Sequence, residues 1–575
     1  MCRTVGKGFA VACLLALGAL GATSCGPHVE PADLVLTNGR VATVDPARPE
    51  AEGIAVRGDT IEAVGTVAEM KTYIGQKTEV IDLAGQFAMP GFIDSHAHFT
   101  AVGAAQAELN LMKARNWEEI VARVGEAAKK ARPGEWILGR GWHQEKWDHR
   151  PSPNVENFPT HEALSRVSPD NPVLLDHASG HAVIANAKAM ALAGITRRTP
   201  NPPGGEILKD GQGNPIGVFR ETAANLLQKA LDAARATRTP AQVNAAADRE
   251  MELASREFLS KGITTVHDAG VPFETVDRYK RFAEAGRLGV RLYVMLSDDL
   301  PGLSDGLAKY RMIGAFGHHL TVRAIKGYMD GALGSRGAWL LEPYADLPGK
   351  TGLNVQPIDQ LRAVAQLAAD HDYQFCVHAI GDRANRETLN LFEEAYKAHP
   401  DKKDLRWRVE HAQHINAADI PRFGQLGIIP SMQGIHCTSD APYVLARLGA
   451  QRAEEGAYAW QKLMKAGATI PNGTDAPVEE VDPLPGYYAL VTRRQPNGEV
   501  FYGDERMSRA EALKAYTLNG AYAAFQERIT GSLTPGKLAD ITVLSADITK
   551  IPDEQIQKAE VLYTIVGGKV LYKKK

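Results

Sequence analysis

Between residues 87 and 475 the chain alternates short apolar runs with longer stretches of helical periodicity, and this alternation restricts the fold more than any other feature. A strand, a helix and a further strand pack as a parallel βαβ unit. Eight strands are predicted, at 87–95, 262–268, 290–297, 320–327, 374–379, 406–411, 427–433 and 468–475. Eight such units fit a TIM-type (β/α)8 barrel, an α/β fold whose active site gathers at the C-terminal ends of the strands. One interval breaks the rhythm. About 160 residues separate the first two strands where a single step takes roughly 30. Residues 101–260 are therefore predicted to carry an insertion of about 130 residues within a barrel domain spanning 87–533. An insertion at that end of a barrel is a candidate lid or specificity element, or else a surface embellishment.

Both ends of the chain are rich in short β-type runs. Asn38-Gly39 and Gly58-Asp59 separate such runs as hairpin signals near the start, and residues 539–544 and 561–572 read the same way near the end. Residues 32–86 and 534–573 are predicted to form one small β-sandwich domain built from both termini.

The 575 residues carry 65 Lys+Arg against 68 Asp+Glu, a formal charge of −3. No basic stripe for nucleic acid is visible, and none is expected as a partner. Five cysteines are too few for a disulfide scaffold, but three of them fall within the first 25 residues. Arg3 and Lys7 precede an apolar run from residue 9 to residue 22, shorter than the roughly 20 residues that span a bilayer and suited to a signal-peptide core. The run ends Gly21-Ala22-Thr23-Ser24-Cys25, which resembles a bacterial lipobox, although Ala22 stands where Leu is usual. Residues 1–24 are read as a lipoprotein-type signal, with ordinary signal cleavage left open. The expected chain is exported and anchored in the envelope facing the periplasm, touching membrane only through a lipid on Cys25. Loss of Arg3 and Lys7 takes its charge from −3 to −5. Pairing of Cys376 with Cys437, and the oligomeric state, stay open.

Chemistry-bearing residues recur at the predicted strand ends. Gly91-Phe92-Ile93-Asp94-Ser95-His96-Ala97-His98 closes the first strand, and residues two apart on a strand face one side, so His96 and His98 can converge on one metal. His378 closes the fifth strand, Glu410-His411 the sixth, and Asn472-Gly473-Thr474-Asp475 the eighth. Imidazoles and a carboxylate on one rim suit zinc or a similar divalent ion.

With these residues in place the chain resembles the amidohydrolase superfamily, amidohydrolase family 3, in the branch of N-substituted formamide deformylase. The matching segments are 89–99, Ser179-Gly180-His181, 262–270, Asp330-Gly331-Ala332-Leu333-Gly334-Ser335-Arg336, His378-Ala379-Ile380-Gly381-Asp382, Glu410-His411-Ala412, Thr474-Asp475-Ala476-Pro477 and 531–540. The resemblance implies that His96 and His98 bind one metal and that His378 and His411 bind a second. It implies that Lys326, ending the fourth strand, is carboxylated and bridges both ions, and that Asp475 contacts metal and handles the proton. The implied reaction is hydrolysis of an amide-like, non-peptide C–N bond in a small molecule by metal-activated hydroxide, with Asp475 as general base and then general acid. Lys326 as a plain ion-pair partner is the alternative, and would leave a mononuclear site.

His181 is a candidate for holding the substrate carbonyl, and Trp142, Trp339 and His436 are further candidate substrate contacts; Trp147 and Tyr328 are either pocket or core aromatics. His414 ranks behind His411 as a ligand, and His267 is a candidate supporting residue. Within enzymes, the alternative is a metallo-dipeptidase or N-acyl amino acid deacylase, which needs a cationic pocket for the substrate carboxylate; Arg140, Arg220 and Arg336 are candidates. A non-catalytic, surface-anchored binding protein on the same barrel is the alternative of another class.

Overall fold

The computed structural model describes residues 29–237 and 239–575, so the segment read as an export signal, with Cys25, lies outside them. Among the described residues no helix is long and apolar enough to cross a membrane.

Seven parallel strands follow one another around the barrel in sequence order: β1 Phe92–Ala97, β2 Ile263–Val271, β3 Arg291–Leu296, β4 Leu320–Tyr328, β5 Gln374–Ala379, β6 Arg408–His411 and β7 Ile429–Ser431. From β2 to β7 the predicted strands are all present, with ends shifted by three residues or fewer. Residues 470–476 take the eighth position without the regular pairing of a strand. Met432 donates to the carbonyl of Pro471 and Gly473 donates back to Met432, while Ser95 donates to Asn472, Asp475 to His96, and His98 to Ala476. These bonds link β7 to β1 and close the ring. Regularity fails here because Pro471 lacks a donor and Asp475 lies in the left-handed region, at φ 57°.

The first predicted strand divides in two. Phe87–Pro90 pairs with Arg40–Ala42 and Ile541–Leu544 in a six-stranded sheet of both chain ends, not in the barrel. The break is at Pro90-Gly91, where Gly91 donates to Asp540 while Phe92 donates to Gly262. A side chain at Gly91 would stand 2.3 Å from Thr264, so only glycine lets the chain cross into the barrel there. A four-stranded sheet of Leu34–Thr37, Gly53–Arg57, Thr60–Gly65 and Glu79–Asp82 shares an apolar core with the six-stranded one, through Leu36, Ile54, Val56, Ala88, Ile541 and Val543. Arg291 at the start of β3 ties this layer to the barrel, donating from Nε and Nη2 to the Asp540 carboxylate at 2.7 and 3.0 Å.

Between β1 and β2 the chain builds a six-stranded mixed sheet of its own, from Leu109–Asn110 through Ile137–Trp142, Val173–His177, Ala182–Ala185 and Pro215–Glu221 to Gly205–Lys209. Separate apolar clusters cover its two faces. The stretch read as helical beyond residue 222 forms Asn225–Arg235 and Pro240–Ser260.

At Gly473 an added Cβ would lie 2.5 Å from the His96 nitrogen and 2.7 Å from Asp94 Oδ1. Gly473→Ala is expected to cost about 1–3 kcal/mol by overpacking this seam, read as a lower denaturant midpoint; a wild-type midpoint would show that the seam is not tightly closed.

Candidate metal centre

His96, His98, Lys326, His378, His411 and Asp475 line one cavity of about 250 Å³ at the C-terminal ends of the strands. Parallel strands deliver them in turn: β1 and the residue after it carry His96 and His98, β4 Lys326, β5 His378, β6 His411, and the closing segment Asp475. Asp475 Oδ1 lies 3.3 Å from His98 Nε2 and 3.7 Å from His96 Nε2. Lys326 Nζ is 3.2 Å from His96 Nε2. The His411 ring stands 4.6 Å from that of His96 and 4.5 Å from that of His378. His411 and Asp475 both adopt positive φ, 74° and 57°, a cost of order 1–3 kcal/mol each that a site tolerates only when its surroundings impose it.

Two sets of donor atoms come close enough for a shared cation: His96, His98 and Asp475, and His411, His436 and Asp475. The second set differs from the expected pairing of His378 with His411, because His436 Nε2 is 3.8 Å from Asp475 Oδ2 whereas His378 Nε2 faces Asp330 Oδ1 at 3.6 Å. His378 Nε2, His436 Nε2 and Asp475 Oδ1 are buried and have no hydrogen-bond partner among the described residues. Buried polar atoms left unpaired are rare, and three nitrogen and oxygen donors converging on one cavity fit a divalent ion.

The electrostatics favour the ligand forms of these groups. Burial holds His96, His378 and His411 well below the ordinary imidazole value, so they are neutral. Burial alone would raise Asp475; the His98 imidazole, 3.3 Å from Oδ1, outweighs it and holds the carboxyl below its usual range. Burial brings Lys326 down to about 8, and among the described residues no carboxylate pairs with it within 4.0 Å. The outer ring nitrogens are tethered: His96 Nδ1 to the Glu410 carboxylate, His411 Nδ1 to Gln433 Oε1 at 2.8 Å, and His436 Nδ1 to the Gln413 amide at 2.9 Å. Such partners fix which nitrogen faces a metal.

The insertion forms the opposite wall. His181 lines the cavity with its ring 4.8 Å from that of His378, and its Nδ1 meets Glu221 Oε2 at 2.8 Å. Burial alone would lower His181, and the Glu221 carboxylate raises it instead. His436 lines a narrower extension of the same space beside His143, Lys146 and Tyr443. Trp142 is elsewhere. It is fully buried in the core of the insertion, donates from Nε1 to the Leu175 carbonyl, and packs on Phe158 and His177, because its side of the strand faces the apolar cluster. Trp339 is not a cavity residue either; its ring is covered by the Arg383 guanidinium 4.3 Å away, and its backbone is bound by Asp330. His414 is buried against Tyr458, outside the cavity, and His267 sits beneath the site against Arg408.

Sequence reasoning assigned no role to Asp330, Glu221 or Gln433. Asp330 accepts from the backbone of Trp339, Ile380 and Gly381 at 2.7–2.9 Å and thereby fixes the loop after β5. Its position two residues beyond β4 was the available signal. Glu221 and Gln433 carried none, since nothing local announces that they meet histidines 40 and 22 residues away.

The amidohydrolase family pattern matches residues 79–572. Protein LONG AFTER FAR-RED 3 of Arabidopsis thaliana is 34% identical over 557 residues, covering 94% of this chain and 92% of that protein. N-substituted formamide deformylase of Arthrobacter pascens is 27% identical over 552 residues, covering 94% and 98%. Among solved structures, a metal-dependent hydrolase from Pyrococcus furiosus aligns with a TM-score of 0.69 at 28% identity, covering 90% of this chain and 100% of that one.

Glu410 is fully buried between His96 and Arg408, whose Nε lies 2.7 Å from Oε1. Glu410→Gln removes the charge that orients His96 and is expected to weaken metal affinity about 10- to 100-fold, measured by competition with a chromophoric chelator. Unchanged affinity would show that Glu410 does not position this ligand.

Proposed function

The chain belongs to the amidohydrolase family, and on that premise we propose that it is a divalent-metal hydrolase that cleaves an amide-like, non-peptide C–N bond in a small molecule. In this reading His96 and His98 would hold one ion and His378 and His411, with His436 close by, a second, while Lys326 as a carbamate would add oxygen donors to the site. Zinc suits these nitrogen and oxygen donors. When bound, such a cation polarises the substrate carbonyl and makes water a better nucleophile near neutral pH. Carboxylation of a lysine requires the free amine, and the low value of about 8 at Lys326 favours it.

The carrying observation is the setting of Asp475. Its carboxylate is ionised, 95% shielded from solvent, and placed between His96, His98 and His436 on the cavity wall. From there it can take a proton from the attacking water and return it to the leaving nitrogen, a general base that becomes a general acid. His181, held by Glu221 on the opposite side, can donate to the carbonyl oxygen as negative charge develops there. Burial of Asp475 and His378 on the cavity wall strengthens both effects. An export signal with a lipid on Cys25 belongs to the same proposal and would put this chemistry in the envelope.

The test uses the zinc-loaded protein with N-substituted formamides, N-acyl amines and lactams, scoring release of the amine or opening of the ring. Asp475→Asn is expected to retain most of the metal and to lower kcat about a hundredfold to ten-thousandfold. Near-normal turnover by Asp475→Asn would contradict the assignment.

A further inference from the structure

Two hydroxyl groups that border the cavity and its extension, on Ser179 and Tyr443, have their hydrogens committed to protein acceptors. Ser179 lies just past the end of Val173–His177, in a turn where Gly180 donates to the His177 carbonyl at 2.9 Å. His177 is fully buried. Burial, with Lys146 and Arg140 nearby, holds its imidazole well below the ordinary value, so the ring is neutral. A neutral ring carries one hydrogen, and its other nitrogen can only accept. The Ser179 backbone N–H meets Nδ1 at 3.2 Å, so Nδ1 is the accepting nitrogen. The ring hydrogen is therefore on Nε2 and is donated to Gln144 Oε1 at 3.0 Å. The Ser179 hydroxyl, 2.8 Å from the same Nδ1, is then the donor in that contact. Its oxygen accepts from the His181 backbone at 3.2 Å and keeps a further lone pair. Towards any ligand Ser179 is an acceptor.

The surroundings of Ser179 are acceptor-rich as well. Burial and the Asp440 carboxylate hold the Tyr443 phenol well above its ordinary value, so it stays protonated and donates to Asp440 Oδ1, while Tyr458 donates to Oδ2 at 2.6 Å. Tyr443 lines the extension, its oxygen 3.2 Å from where a Cβ on Gly334 would stand. The extension measures about 40 Å³, room for a group little larger than water. On its wall the carboxylates of Asp440 and Glu479 face the ammonium of Lys146, which lies 3.2 Å from Glu479. A group seated here has to bring hydrogens of its own. Ser179 and Asp475 both line the cavity and the extension, and so mark the junction of the two spaces.

We propose that Ser179 Oγ accepts a hydrogen bond from the N–H of the substrate amide, so that the compound cleaved is a secondary amide and not an N,N-disubstituted amide or an ester. The scissile nitrogen then lies at the junction, between the hydroxyl that takes up its hydrogen and the Asp475 carboxylate. A compound without N–H leaves the Ser179 oxygen desolvated and unpaired, and a site built to hydrogen-bond one group rejects the analogue that lacks it. Ser179 acts here on specificity, and no bond is made or broken through it. The proposal rests on the reading of the site as a C–N hydrolase and names its substrate class.

N-benzylformamide, N-benzyl-N-methylformamide and benzyl formate share one frame and differ at the scissile position, as N–H, N–CH3 and O. They serve as probes for the zinc-loaded full chain. The wild type is expected to favour the secondary over the tertiary amide about tenfold or more in kcat/KM. Ser179→Ala should raise KM for the secondary amide about three- to tenfold and raise it less for the tertiary amide and the ester; Ser179→Thr, which keeps a hydroxyl, should restore part of the difference. Equal losses on all three compounds in Ser179→Ala would mark a structural residue and overturn the proposal. A gain on the tertiary amide with the secondary one unchanged would mark simple crowding and overturn it too. Calorimetric binding of the same compounds separates the two readings. A Ser179-dependent preference for binding the secondary amide, without hydrolysis of any compound, sustains the hydrogen bond and sinks the C–N reading. Hydrolysis without any Ser179-dependent preference does the reverse, and equal or absent binding of the three compounds also overturns the hydrogen bond.

Discussion

Closure of the barrel through residues 470–476 is the constraint on which the site depends. Thr474 donates from its backbone to Asp94 Oδ1 at 2.9 Å and from its hydroxyl to Oδ2 at 2.5 Å, so β1 and the closing segment are clasped next to the candidate metal-site residues. The backbone bonds from Asp475 to His96 and from His98 to Ala476 continue the seam. His96, His98 and Asp475 thus share one short piece of ladder, although 379 positions separate the first from the last in sequence. Burial lifts Asp94 to about 7, against the pull of the Thr474 hydrogen bonds.

Beneath the seam lies a second requirement. Arg408 is fully buried, and its guanidinium donates to Glu410, to the Ser95 carbonyl, to Ser431 and to His267. Glu410 in turn holds His96. A buried pair of this kind adds little net stability, but losing one partner leaves an uncompensated charge and costs about 3–5 kcal/mol. The arrangement is better understood as orienting His96 than as holding the fold, which is already secured by the apolar strands.

Legibility in the sequence followed the range of the interaction. His96 and His98 are visible because two-residue spacing on a strand is a local pattern, and His378, His411 and Asp475 are visible because each ends an apolar run. Lys326 looks like any lysine at a strand end and acquires a role only through family resemblance. Glu221, Gln433 and Asp330 act across long loops, where no periodicity links partners. The closing segment reads as a strand because it is apolar up to Ile470, yet Pro471 and the left-handed Asp475 deny it regular pairing. Trp142 shows the opposite failure. Large aromatics suit pockets and cores equally well, and only the bulge at Gly141 decides that Arg140, not Trp142, meets the cavity.

The insertion emerges as half of the site. It supplies His181, Glu221 and Arg140 from one mixed sheet, facing the ligand set that the barrel supplies. That shared cavity is the proposed metal centre. Diffraction from zinc-loaded crystals above and below the zinc absorption edge tests it most directly. Anomalous peaks are predicted in the cavity, about 2.0–2.2 Å from donor atoms of His96, His98 and Asp475, with a second beside His411. Crystals showing zinc only at the protein surface, and none among these residues, would contradict it.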